Sequence, residues 1–450
     1  MHIDEALDCF RRFLKDLRVT NQTGDMMEGF IQFQDDELGG LRISGEEYKE
    51  YISVIDNITG AVAHLDRFSR RGIEDLTQKA ILYAVKPKSG MKEIPDSFVK
   101  EAVRWLRNAV NAEPRHYIAF LPVTGIEPRC LPNTVGKVTF LRSDKSSLAI
   151  IRRPVTEIIA SMPGRREEIN SIRKDMRDRI NYTFNRNIIA EIEVAASDDK
   201  NAEQKAVREC RKTIETINFY ADVFTTGGSA CVALLGEGNL PVKWARTEER
   251  QKTIVILRIK GATHETSIKH RGMDIAGYGT FTIARGPLAE LVLPRKDSQQ
   301  ALDYGLARLS QILAKHPRTS FEERILASCQ WAGRATVDMR PEESFLLYMI
   351  ALEGLVLGSD TKTNITHQLK LKAAHLIRKT KEERKKLFSR LGHLYGVRSR
   401  IVHSGSFEVT DAEVREIRYY TKLALLTVLV QSPFRDMTSE DEFDRWLARD

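Results

Sequence analysis

Arg398 and His403 stand five residues apart in the run Leu394-Tyr395-Gly396-Val397-Arg398-Ser399-Arg400-Ile401-Val402-His403-Ser404-Gly405. Both residue types can act on a phosphodiester. A histidine exchanges its proton near neutral pH and serves in general acid or base catalysis, commonly worth ~10²–10⁴-fold. An arginine keeps its charge and presents a planar fork of donors that matches phosphate oxygens. The pair is the minimum equipment for cutting RNA without a metal. The ribose 2′-hydroxyl attacks its own 3′-phosphate, one group takes the hydroxyl proton, another protonates the leaving 5′-oxygen, and positive charge stabilises the phosphorane. The products would be a 2′,3′-cyclic phosphate and a 5′-hydroxyl.

Spacing alone is a weak signal in a chain with ten histidines and 70 Lys plus Arg. Arg258 and His264 form a similar pair on a predicted strand, with nothing around them to support a role. For His403 in isolation, a helix-terminal histidine favoured by the helix dipole is the simpler account. The preceding segment changes the balance. Residues 379–400 are dense in Lys and Arg, opposed only by Glu382 and Glu383. Such a run is usually a solvated face, but here it leads into the pair and suits a polyanion. Lys385, Lys386, Arg390 and Arg400 are the candidate RNA contacts. Leu387, Leu391 and Leu394 form the buried stripe of the same predicted helix, and Ser404-Gly405 ends it. Five helical residues turn through about 140° and rise about 7.5 Å. Arg398 and His403 can therefore converge only through the long arginine side chain, a loosened last turn, or a second copy across a dimer interface.

The elements that must position these residues read in three blocks. Residues 1–112 are mainly helical: Phe10, Leu14 and Leu17 follow helical spacing, as do Phe98, Ala102, Trp105, Leu106 and Val110, with Asp96 or Ser97 as the cap of the last helix. The polar stretch 19–45 reads as loop-rich. Residues 113–295 are mixed α/β, with strands at 117–122, 137–141, 188–194, 230–235, 253–258 and 279–284 and a long helix at 200–223. Residues 296–435 are helical again, with segments near 298–315, 320–336, 342–357, 364–379 and 381–403, and a sixth that opens on the capping box Thr410-Asp411-Ala412-Glu413 and ends, apolar nearly all round, at Val430. Residues 436–450 are an acidic tail with Phe443 and Trp446 as docking anchors. The expected class is an α+β multidomain protein: an N-terminal helical region, a mixed α/β region, and a C-terminal all-α bundle.

At 450 residues the chain is long enough for several cores, and 42% hydrophobic content is that of a globular protein. A net charge of +8 and a pI near 9.1 favour an anionic partner. The five cysteines are scattered without a CxxC, which argues against a disulfide framework or zinc ribbon and fits a reducing cytoplasm. The apolar run at 423–430 is too short to span a bilayer, and the acidic N-terminus lacks a secretory apolar stretch. A Walker loop, a dinucleotide fingerprint, HExxH and GxSxG are all missing; Gly227-Gly228 and Gly236-Glu237-Gly238 read as turn glycines, and His264-Glu265 lacks its second histidine. No metal or cofactor is expected.

The C-terminal helices resemble the HEPN superfamily, most closely its Apea-like branch. Three stretches carry the likeness: Ser344 to Leu355 with its Ala351-Leu352-Glu353-Gly354-Leu355, Leu369 to Ile377, and Leu394 to Gly405. It covers about 300–432. The resemblance implies a metal-independent endoribonuclease in which Arg398 and His403 form the RxxxxH site, usually shared between two protomers whose motifs face one another in a cleft. Ser399 satisfies a position that is often polar in the family, with Tyr395 beside it. Glu353 matches an acidic position of the Apea-like branch, with a supporting role. The setting it implies is phage defence or toxicity in the cytoplasm, with RNA, tRNA among the targets, as substrate, and a phage-derived or antitoxin regulator acting through the first 295 residues. Three other readings remain open: a HEPN module that has kept the fold but only binds or dimerises, a nucleotide- or RNA-binding regulator with the α/β region as sensor, and, more weakly, a metal-dependent hydrolase in the α/β region, where no ligand cluster is visible.

Overall fold

The computed structural model describes residues 2–17, 30–35, 39–85, 94–161, 165–184, 188–221, 224, 232–234, 251–260, 263–272, 292–295, 298–337, 340–358, 364–404 and 409–448. The chain is mostly helical with an antiparallel sheet. It forms two compact units, one of residues 1–118, 194–206 and 256–267, the other of residues 119–193, 207–255 and 268–450.

The first unit is built on α1 (Ile3–Asp16), the hairpin β1 (Phe30–Asp35) and β2 (Gly39–Ser44), then α2 (Glu46–Val62), α3 (Arg70–Val85) and α4 (Asp96–Asn111). Phe10, Leu14 and Leu17 are buried as their spacing predicts, with Ile55, Ile58, Ile81, Ala102 and Leu106 in the same core. Two expectations are corrected. The stretch 19–45 contains an antiparallel hairpin, Phe30 opposite Ser44 and Asp35 opposite Gly39, where a loop-rich stretch was expected; its polar residues hid the alternation. The cap of α4 is Pro95, without a side-chain hydrogen bond, and Asp96 is the first helical residue. Proline suits that place because it has no N–H to satisfy. Where α3 starts, Ser69 Oγ accepts the Gly72 N–H (2.9 Å) and donates to Asp198 Oδ1 (2.8 Å), and Asp198 accepts the Asn201 N–H (2.7 Å). Two N-caps are thus tied to one another, each satisfying orphan donors of its own helix.

The sheet runs β4-β5-β6-β3-β8-β9, with β7 on the end of β3. These strands are β3 (Arg115–Thr124), β4 (Asn133–Val135), β5 (Val138–Leu141), β6 (Ile188–Ala196), β7 (Ala233–Leu234), β8 (Gln251–Lys260) and β9 (Thr263–Gly272). They confirm the expected strands at 117–122, 137–141, 188–194 and 253–258; of 230–235 the described residues 233–234 are strand, and 230, 231, 235 and 279–284 lie outside the described residues. Although β5 and β6 pair directly (Phe140 opposite Ala190), two helices unread in the sequence lie between them in the chain, α5 (Lys145–Ser161) and α6 (Arg166–Phe184). Then α7 (Asp199–Asn218) buries Ala206, Cys210, Ile214 and Ile217 as expected.

The remaining helices are α8 (Gln299–Asp303), α9 (Leu306–Ala314), α10 (Ser320–Val337), α11 (Pro341–Val356), α12 (Ile365–Ile377), α13 (Lys381–Ser404), α14 (Asp411–Val430) and α15 (Glu440–Leu447). The single helix expected at 298–315 is two, broken at Gly305, whose φ of +71° suits glycine and brings its backbone against Leu429. The stripe Phe345, Met349, Leu352, Val356 is fully buried, and the Thr410 capping box is present. Helix α10 meets α7 at Gly333, where a Cβ would overlap the Glu215 carbonyl oxygen, and Arg334 pairs with the Glu215 carboxylate at 2.6 and 3.1 Å. Phe443 and Trp446 anchor α15 as expected: Phe443 is fully buried with its ring 4.8 Å from that of Phe321, and Trp446 lies edge-on to Phe434 at 4.5 Å. Arg324, 6% exposed, pairs with Glu440 (3.1 Å) and Asp444 (3.0 Å) of α15 and donates to the Gly354 carbonyl (3.2 Å).

Candidate active site

Helix α13 starts on Thr380, whose Oγ1 accepts the Glu383 N–H (3.3 Å) and donates to the Glu383 carboxylate (2.9 Å). Leu387, Leu391, Leu394, Val397 and Ile401 are its buried face. On the α14 side, Arg390 Nε lies 2.8 Å from both carboxylate oxygens of Glu416, and His393 Nε2 lies 3.0 Å from Glu413 Oε1. Burial opposes the Glu413 anion, but the Thr410 backbone N–H, His393 and the Thr410 hydroxyl outweigh it and hold the carboxyl at about 2.

Arg398 and His403 lie on this one unbroken helix, which remains α-helical to Ser404. Of the three routes to convergence, the loosened last turn is therefore not taken. Arg398 is one-quarter exposed and turned toward α11, with Nε 3.4 Å from Glu353 Oε1. Its guanidinium carbon is 5.6 Å from the centre of the Tyr395 ring, one turn earlier. Glu353 is largely buried; desolvation raises its carboxyl above the ordinary value, and Arg398 only partly opposes this. The 3.4 Å contact is an ion pair without hydrogen-bond geometry, so buried Glu353 Oε1 accepts no hydrogen bond. His403 is exposed in the last turn beside exposed Val402, and Ser399 is half-buried. The fold thus unites Arg398, Glu353 and Tyr395 and leaves His403 facing away by about 140° of helix.

The candidate RNA contacts divide. Lys385, Lys386 and Arg400 are exposed, whereas Arg390 is held by Glu416. Arg258 and His264 fall on separate strands, β8 and β9. Sequence reasoning missed His367, Lys370 and Phe388, which meet between α12 and α13; the available signal was the basic character of α12 beside an aromatic in the basic run. Cys9 and Cys130 are half-buried, Cys210 and Cys329 are buried, and Cys231 lies outside the described residues. Among the described residues, no three His, Cys, Asp or Glu side chains are grouped to hold a metal ion, and no helix is long and apolar enough to cross a membrane. No family model, no curated protein and no solved structure matches this chain.

Proposed function

We propose that this chain is a metal-independent endoribonuclease of HEPN type that cleaves RNA, with tRNA as a target class, in phage defence or as a toxin. The observation that carries the reading is the Arg398 guanidinium, held at the α11–α13 contact by Glu353, with an exposed histidine five residues further along the same helix. Arg398 binds the scissile phosphate and His403 transfers protons at the 2′- or 5′-oxygen; Glu353, Tyr395 and Ser399 position them. Because the two side chains diverge on one helix, the complete site draws on a second copy of the chain. Ile350, one turn before Glu353, and Val402, one turn after Arg398, are exposed apolar residues (36% and 50%) that such a copy would cover. The residues before 296 sense the trigger or restrain the nuclease by slowing it without silencing it, so full-rate cleavage by the intact protein without a partner would count against that role.

The test is incubation of the purified protein with total tRNA and a structured RNA in EDTA, beside Arg398→Ala and His403→Ala proteins. Cleavage by the parent, leaving cyclic-phosphate ends, and loss of at least ~10²-fold in either variant are expected. Equal activity in parent and variants would overturn the assignment. A second reading, a binding module without catalysis, draws on the same ion pair, since a guanidinium committed to Glu353 is less available to phosphate. Tight RNA binding without cleavage, unchanged in His403→Ala, would favour it.

A further inference from the structure

The cations of the α12–α13 hairpin differ in what they meet. Residues 366–404 hold eleven Lys and Arg against two Glu. On the flank facing α14, Arg390 and His393 are paired with Glu416 and Glu413. No ion pair among the described residues involves Lys370, Lys385 or Lys386. On the α12 flank the charge is joined by aromatic surface. Lys370 Nζ lies 4.3 Å from the centre of the half-buried Phe388 ring, and exposed His367 meets the same ring edge-on at 5.4 Å. The Lys370 stem crosses Gly392, where a Cβ would come within 3.4 Å of its Cδ. Phe388, Gly392, Ser399 and His403 recur at helical spacing, so they share one face of α13 that leads from this cluster to the histidine. The distance along the helix is about 22 Å.

From this arrangement we infer that His367, Lys370, Lys385 and Phe388 form a second RNA subsite, which holds the strand several nucleotides from the bond that is cut. The lysines neutralise backbone phosphates, and the Phe388–His367 surface takes a base by stacking, the combination that binds single strands without reading sequence. The α14 flank is the poorer surface, because Arg390 and His393 there are already engaged by Glu416 and Glu413. The inference rests on the nuclease reading only for its position relative to the cut, and the subsite acts through affinity for long substrates.

The experiment measures binding of non-cleavable 2′-O-methyl RNA, as a trinucleotide and as a long single strand, over a series of salt concentrations. Parent, Lys370→Gln, Phe388→Leu and the double variant are compared, with cleavage of the corresponding 2′-hydroxyl RNA followed in parallel. The parent is expected to bind the long strand more tightly than the trinucleotide, and the double variant to lose about tenfold of that gain. Lys370→Gln should lower the salt dependence by about 0.7 in slope. Phe388→Leu keeps an apolar chain in place, and Lys370→Gln alters a half-exposed residue, so either alone carries the test if the double variant does not fold. Long-strand affinity and salt slope equal to the parent's would overturn the subsite, and cleavage by that same parent would leave the nuclease reading standing. A parent that binds the long strand through these residues but cuts no RNA would uphold the subsite and overturn the nuclease reading.

Discussion

Glu353 Oε1 lies 3.4 Å from Arg398 Nε, and this contact joins α11 to α13 where Tyr395 also meets the guanidinium. The carboxylate is largely buried and its Oε1 has no hydrogen bond, so it orients the arginine at the expense of its own solvation. Glu353→Gln removes that charge while keeping its shape. A carboxyl whose folded pKa is raised gives its full contribution below the ordinary value and loses it as pH rises through the folded value. Thermal melts of parent and Glu353→Gln across that window should diverge, the variant gaining relative to the parent as pH rises. In the RNA assay the same variant should lose up to about 100-fold through misplacement of Arg398.

The α13–α14 contact should respond to acid with the opposite sign. Glu413 is held at about 2, below its ordinary 4.5, by Thr410 and His393. A depressed carboxylate contributes stability above its unfolded value, and the contribution disappears as pH falls through the folded value. Parent and Glu413→Gln should differ most in melting temperature above pH 4.5 and converge as pH approaches 2.

Gly333→Ala forces a methyl group into the Glu215 carbonyl at the α7–α10 crossing, where neither helix backbone can yield cheaply. A loss of about 3 kcal/mol is expected in denaturant melts. Gly60→Ala in α2, where a Cβ meets nothing within 4 Å, should instead gain about 0.5–1 kcal/mol.

Removal of residues 437–450 strips Glu440 and Asp444 from Arg324 and uncovers Phe321 and Phe434. An unpaired buried arginine alone costs about 3–5 kcal/mol. The shortened chain should melt well below the parent and bind a hydrophobic dye; an unchanged melt would show that α15 is dispensable.

Local pattern by itself determined much of this protein. The helical periods of α10, α11, α13 and α14, the Thr410 cap and the strands β3, β5 and β6 were legible because apolar period and capping chemistry are properties of neighbouring residues. Helices α5 and α6 were not, because Ile150 and Ile172 are exposed on them and α5 contains Pro154, so no clean apolar stripe marks either one. The sequence also placed Arg398 and His403 on one helix, and the resemblance of its C-terminal helices singled out Glu353. Tertiary packing decided what those residues face. It sets Glu353, 45 positions before Arg398, against the guanidinium, and it brings Arg390 and His393 to carboxylates of α14. It leaves Lys370 and Phe388 together on the opposite flank. A one-dimensional charge run cannot tell these flanks apart, since only the direction in which each helix is packed determines whether a cation meets a carboxylate or water.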